Sequence, residues 1–260
     1  MYFHFQNIKM KANFLFFTIG ALLLILSCKS PGDSAQHALC PLAGKYLNYT
    51  VLEHCPDILP GDVPSYALSF EFNTKDTVDI YNGFERFRMH YTGPGDSCNY
   101  TILVATQFGD MHFVLQGDTA IQLFDSAWTQ LNRASTFRRI DDRLPWDFDD
   151  YLNECVLVGT WNLIKEGIGK DHKVIFVRNG QMDGMKPYIS YAICYAGDCL
   201  EETDPHANTI DFMDDRAKYT TFAFKIAPGR RLIQFYTIAD PDPDMKGGRK
   251  IGPLSFELRQ

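Results

Sequence analysis

The sequence predicts an all-β protein built from two tandem small antiparallel up-and-down barrels, with β-sandwiches as the alternative arrangement. Three observations predict it. Short runs alternate apolar with polar side chains between Gly, Pro, Asn and Asp turns, the period of a strand with one buried face. A motif occurs twice, Cys40-Pro-Leu42-Ala-Gly44-Lys-Tyr46 and Cys155-Val-Leu157-Val-Gly159-Thr-Trp161, both C-x-L-x-G-x-aromatic and 115 residues apart. No helix of any length shows a 3.6-residue period, and about eight short strands per hundred residues with no unprotected edge favour closure over an open sheet.

Along the chain, residues 1–27 read as a secretory signal: Lys9 and Lys11, the apolar run Phe14 to Leu26, then Ile25-Leu26-Ser27-Cys28, which looks like a bacterial lipobox. The apolar run is shorter than the roughly 20 residues of a spanning helix, so the expected outcome is cleavage and lipidation at Cys28. Residues 28–39, rich in Ser, Gly, Pro and Ala, read as a tether. The first β unit follows at 40–140, with strands expected near Ser65–Phe72, Thr77–Tyr81, Phe84–Tyr91, Tyr100–Ala105, Met111–Leu115 and Thr119–Phe124. Residues 141–154, acidic and turn-like, are expected to link the units, with Trp146 and Phe148 docked on a neighbour. The second unit, 155–260, has a strand ending at Asn179-Gly180, where both residues tolerate positive φ. Phe222, Phe224 and Ile226 form one face of another strand, and Leu254, Phe256 and Leu258 alternate along the last. The units end alike, at Ser135-Thr136-Phe137-Arg138-Arg139 and at Leu254-Ser255-Phe256-Glu257-Leu258-Arg259.

The chain carries 25 Lys and Arg against 32 Asp and Glu. Removing residues 1–27 takes away two lysines and no acid, leaving 23 against 32, a formal charge of −9. An acidic surface without a Lys/Arg block excludes nucleic acid as a partner. Six cysteines follow Cys28, an even number that reads as disulfides in an exported protein. Cys194 and Cys199 flank a tight turn and are expected to close a hairpin. Cys40, Cys55, Cys98 and Cys155 allow three pairings; Cys55 with Cys98 is preferred, which leaves Cys40 with Cys155 as a symmetric clamp between the repeats.

Residues that could carry chemistry are few. Asp240-Pro-Asp242-Pro-Asp244 offers alternate carboxylates, but counted as an EF-hand its positions 6 and 12 hold Met245 and Ile251, so it reads as a Pro-stiffened loop. The histidines fall one per segment and predict no metal site, and Glu201-Glu202 and Asp214-Asp215 read as solvated turn acids. Nucleophile-elbow, dinucleotide and P-loop motifs are absent. The expectation is therefore a protein that is not an enzyme, with no cofactor, no catalytic residues and no metal. Aromatic residues make up 14 % of the chain and must largely fill the barrels, leaving some to receive an apolar ligand. Asp33-Ser34-Ala35, Asp76-Thr77-Val78, Asp118-Thr119-Ala120 and Asp125-Ser126-Ala127 resemble acceptors of Bacteroidetes O-glycosylation.

The glycine before an aromatic in the first strand and the arginine ending the last one resemble the lipocalin pattern, and with the lipobox the whole chain resembles lipocalin-like lipoproteins of Bacteroidetes-type bacteria. The resemblance implies that an Arg lies across the first-strand aromatic and closes the barrel end. The matching residues are Gly44, Tyr46 and Arg138 or Arg139 in the first unit, and Gly159, Trp161 and Arg259 in the second, with Tyr46 replacing the usual Trp. The functional expectation is a lipid-anchored outer-membrane protein, its membrane contact the N-terminal anchor. It would bind a small hydrophobic or amphipathic ligand or, alternatively, present barrel loops to a protein or glycan partner.

Overall fold

Each repeat opens on a glycine in a backbone conformation that a side chain would strain. Gly44 starts β1 (Gly44–Asn48) at φ 94° and Gly159 starts β9 (Gly159–Ile164) at φ 134°. Two residues on, Tyr46 and Trp161 are each almost wholly buried, so the shared motif marks the same structural position twice. The computed structural model describes residues 42–260 apart from 58, 61–66, 74–75, 94–97, 104–109, 123–134, 142, 166–171, 196–202, 204–205, 230 and 240–248. Cys28, Cys40, Cys199 and the Asp240–Asp244 segment, together with the signal and tether, lie outside the described residues.

In the first unit β2 (Ser69–Phe72), β3 (Thr77–Tyr81), β4 (Arg86–Thr92), β5 (Asn99–Leu103), β6 (Met111–Gln116), β7 (Thr119–Gln122) and β8 (Ser135–Arg139) each pair antiparallel with their sequence neighbours. Strand β8 returns to β1, with Leu47 opposite Arg138 and Asn48 opposite Phe137, closing the barrel. A sandwich is therefore excluded for this unit. Alternate side chains point inward and fill it: Phe70 lies 4.8 Å from Phe113 and 4.6 Å from Phe137, and Phe72 packs on Tyr46 and Tyr91. Such ring pairs are favourable when offset or edge-on, as here.

The second unit runs β9, β10 (Lys173–Phe176), β11 (Met182–Asp183), β12 (Tyr188–Cys194), β13 (Asn208–Asp214), β14 (Tyr219–Ile226), β15 (Leu232–Ile238) and β16 (Ile251–Arg259). Strand β16 pairs with β9, and the ladder continues unbroken from β11 through β9 and β16 to β12. Between β11 and β12 the connection is a bridge, Gln181 to Ser190, with the Tyr191 N–H donating to the Gly180 carbonyl at 2.7 Å. Its interior is again aromatic: Phe212 touches the rings of Phe176, Phe222, Phe235 and Phe256, and the last two stack at 4.5 Å.

Two helices correct the all-β expectation in detail: α1 (Tyr49–Leu52) and α2 (Phe148–Val156). The second covers half of the expected linker at 141–154 and runs on into the second unit. Asp147 caps its N-terminus, accepting from the Asp149 and Asp150 N–H groups while Asp150 reaches back to the Asp147 N–H, a reciprocal capping box. Phe148, Leu152 and Val156, spaced by four, are all buried and form the stripe a short helix needs. That stripe joins the interior of the second barrel to Leu47, Val51 and Leu68 on the outside of the first, in one continuous apolar cluster. Leu39 to Gln260 accordingly form one compact unit.

The disulfide pairing differs from expectation. Cys55 bonds to Cys155, with 6.1 Å between Cα atoms, so neither Cys55–Cys98 nor Cys40–Cys155 forms. The cause is the two helices: the turn after α1 brings Cys55 to the C-terminal end of α2, where Cys155 sits on a helix instead of at the start of a strand. Cys98 and Cys194 are also disulfide-bonded.

Of the barrel-closing arginines, Arg138 and Arg259 are corrected, whereas Arg139 stays beside its expected partner. Arg138 faces outward and lies on the Tyr49 ring, 3.8 Å from its centroid, and it is Arg139 that stands opposite Tyr46 in register. In the second unit Leu258 is the inward residue, which puts Arg259 on the outer face beside Asn162 and 3.5 Å from Glu257. Trp161 instead donates its indole N–H to the Leu157 carbonyl at 2.6 Å.

Candidate functional site

The described concavities lie against α2 and the turn after α1, outside the barrel interiors. On one flank of α2 a groove of about 400 Å³ is lined by Tyr81 of β3, Asp147, Asp149, Asn179, Tyr191 and Tyr195. The capping box consumes Asp147 and Asp150, and Asp149, at the second helical position, is the carboxylate left to face the groove. Tyr81 donates its hydroxyl to Asp149 Oδ2 at 3.1 Å, and Tyr195 donates to Asp149 Oδ1. One residue from each barrel thus meets on a helix between them.

Burial pushes the Asp149 carboxyl above the usual carboxylate range, although both tyrosine hydrogen bonds pull the other way. Burial first, and then the Asp149 charge, raise Tyr81 to about 12 and Tyr195 higher still. Both phenols therefore stay protonated as donors, and each hydrogen-bonds one oxygen of the carboxylate. Arg86 lies over the Tyr81 ring at 4.8 Å and pairs with Asp147 at 3.5 Å, closing the groove's rim. This cluster joins the barrels and offers hydrogen bonds at the groove.

On the other flank a groove of about 420 Å³ has an apolar lining, Leu47, Leu52, Ile140 and the Tyr49 and Tyr151 rings, with Arg138, Arg139 and Asp141 around it. Arg143 binds Asp141 through Nε and Nη2 and holds its carboxyl below the usual range. A third groove, about 400 Å³, runs between Pro56, Asp57 and Leu59 and the Phe224–Pro228 end of β14.

Among the described residues no three His, Cys, Asp or Glu side chains converge on a point where a metal ion could sit. His112 meets Thr101 at 3.2 Å and His172 meets the Gly184 carbonyl, well apart along the chain. Asp214 accepts the Arg216 and Lys218 N–H groups and is a turn acid, as its sequence suggests. No sequence motif marks the Tyr81–Asp149–Tyr195 cluster; its one local trace is the Asp-Phe-Asp-Asp run that caps α2 and leaves one carboxylate over. Among the described residues no helix is long and apolar enough to cross a membrane. Compared with known proteins, the chain matches no family model, no curated protein and no solved structure.

Proposed function

We propose that this chain is a lipid-anchored lipoprotein of the bacterial outer membrane that binds a small amphipathic ligand without chemistry, at the seam beside α2 and not in a barrel lumen. The observation that carries this reading is the packing. The described interior of each barrel is occupied by its own rings, whereas the seam keeps grooves within the 300–1,000 Å³ range of ligand sites. The lipobox ending at Cys28 supports the anchor. Native mass spectrometry of the protein from its own envelope, before and after organic extraction, tests the reading. A retained small-molecule mass lost on extraction is the expected result, and a clean apo mass throughout counts against a carrier.

The second reading is recognition of a protein or glycan partner. The groove around Asp149 favours it, because Asn179 and the Asp149 carboxylate line it with the donors and acceptors that hydroxyl-rich ligands use. A clean apo mass together with partner capture that is lost on substituting Asn179 would favour this reading.

A further inference from the structure

The apolar groove beside β1 and β8 carries an inference of its own. Its walls are half-buried apolar surfaces, Leu52, Ile140 and Tyr151, over a fully buried Leu47. At one side stands Arg138, whose guanidinium carbon lies 3.8 Å from the centroid of the Tyr49 ring. That contact holds the guanidinium at the groove, and a guanidinium is the side chain that receives a carboxylate through two parallel bonds. Among the described residues Arg138 contacts the Tyr49 ring, and the acid lining the groove, Asp141, is held by Arg143. An apolar trough with a cation at its rim is complementary to a molecule that is apolar along its length and anionic at one end.

We propose that this groove binds a single-chain carboxylate amphiphile, with its head on Arg138 and its tail along Leu52, Ile140 and Tyr151. The proposal rests on the reading of the chain as an amphiphile binder and names the site and the head charge. A neutral head would leave the guanidinium without a counter-charge, and a cationic head would be repelled by Arg138 and Arg139. Against the net negative charge of the chain, Arg138 is the feature of this groove that favours an anion.

Binding of dodecanoate to the full chain, held free of detergent, tests it by calorimetry, with dodecyl maltoside supplying the same tail on a neutral head and acetate the head without a tail. Dodecanoate should bind, acetate should not, and Arg138→Gln should weaken dodecanoate roughly tenfold or more while leaving dodecyl maltoside unchanged. Leu52→Arg should weaken both amphiphiles, and circular dichroism verifies that each variant is folded. Dodecanoate binding that neither substitution alters puts the site elsewhere and overturns the groove assignment while the amphiphile reading survives. Absence of binding by both amphiphiles overturns the two together.

Discussion

The two barrels close differently. In the first, every strand is paired on both sides, and β8 meets β1 over three registered residues. In the second, the ladder stops at β11 and β12, and that gap is spanned by the Gln181–Ser190 bridge and the bond from Tyr191 to Gly180. The second barrel makes up the difference from outside. Helix α2 packs across its interior cluster, Tyr195 at the end of β12 ties to Asp149, and Cys155 ties the helix to the turn after α1. A barrel with a weak seam is stabilised by a latch, and the latch is what leaves grooves along the seam. The local ladder and the long-range latch predict separable responses to substitution.

The largest effect should come from the disulfide. Cys55 and Cys155 are 100 residues apart, and closing a loop of that size restricts the unfolded chain by about 4 kcal/mol. Cys55→Ser with Cys155→Ser should lower the melting temperature well beyond any surface change, and hydrogen exchange should show α2 and the β11–β12 seam opening before the ladder of the first barrel. Simultaneous opening of both barrels would mean that they are held as one cooperative unit with no separate latch.

Glycine substitutions compare the two barrels directly. Gly180 has φ 78°, and a Cβ there would stand 2.8 Å from the Tyr191 carbonyl oxygen that belongs to the seam. Gly117, in the β6–β7 turn of the first barrel, has φ 62° with nothing within 4 Å of an added Cβ. Gly117→Ala therefore meets only the backbone cost, about 1 kcal/mol, and Gly180→Ala adds a clash for about 2–3 kcal/mol. Urea denaturation should separate them in that order; equal losses would remove the seam's special status.

Asp149 adds a pH dependence to the latch. Its carboxyl titrates higher in the folded protein than its ordinary 3.8, so the folded state holds the proton more tightly than the unfolded chain does. Its stabilising contribution is full below 3.8 and is lost as pH rises through the elevated folded value. Asp149→Asn should flatten that acid-side decline while keeping an acceptor for one tyrosine. Asp149→Ala strands the Tyr81 and Tyr195 hydroxyls and should cost about 2 kcal/mol. An unchanged pH profile in Asp149→Asn would assign the decline to another group.

Much of the barrel architecture is readable because it is written locally and twice. Gly44 and Gly159 with their following aromatics set the first strand of each unit, and alternation in Phe222, Phe224 and Phe256 marks inward faces. Helix α2 escapes the same reading because its nine residues carry only three stripe positions, Phe148, Leu152 and Val156, and the last falls inside the repeat motif itself. The Cys55–Cys155 bond follows from that helix, so repeat symmetry points to the wrong partner. The candidate site is hidden for a different reason: Asp149 is 68 residues from Tyr81 and 46 from Tyr195, and nothing in local periodicity relates the three. Pairing across barrels is a property of packing, which sequence spacing does not carry.

The smallest expected effect lies on the outer surface of the latch. Arg178 lies 3.6 Å over the Trp146 ring and pairs with Glu154 at 2.8 Å, while Asn153 of α2 donates to its carbonyl. The ion pair is partly exposed and contributes modestly in water, whereas the contact of the guanidinium with the ring is less easily replaced. Arg178→Lys should keep the charge yet lose part of the stacking, and Arg178→Ala should lose both for about 1 kcal/mol in total. Because Trp146 reports on that contact, its fluorescence should shift in both variants, more so in Arg178→Ala. The shift should persist in high salt, which screens the pair with Glu154 and leaves the ring contact in place. If salt alone reproduced the shift in the unsubstituted protein, the ion pair and not the stacking would be what holds Arg178 on the helix.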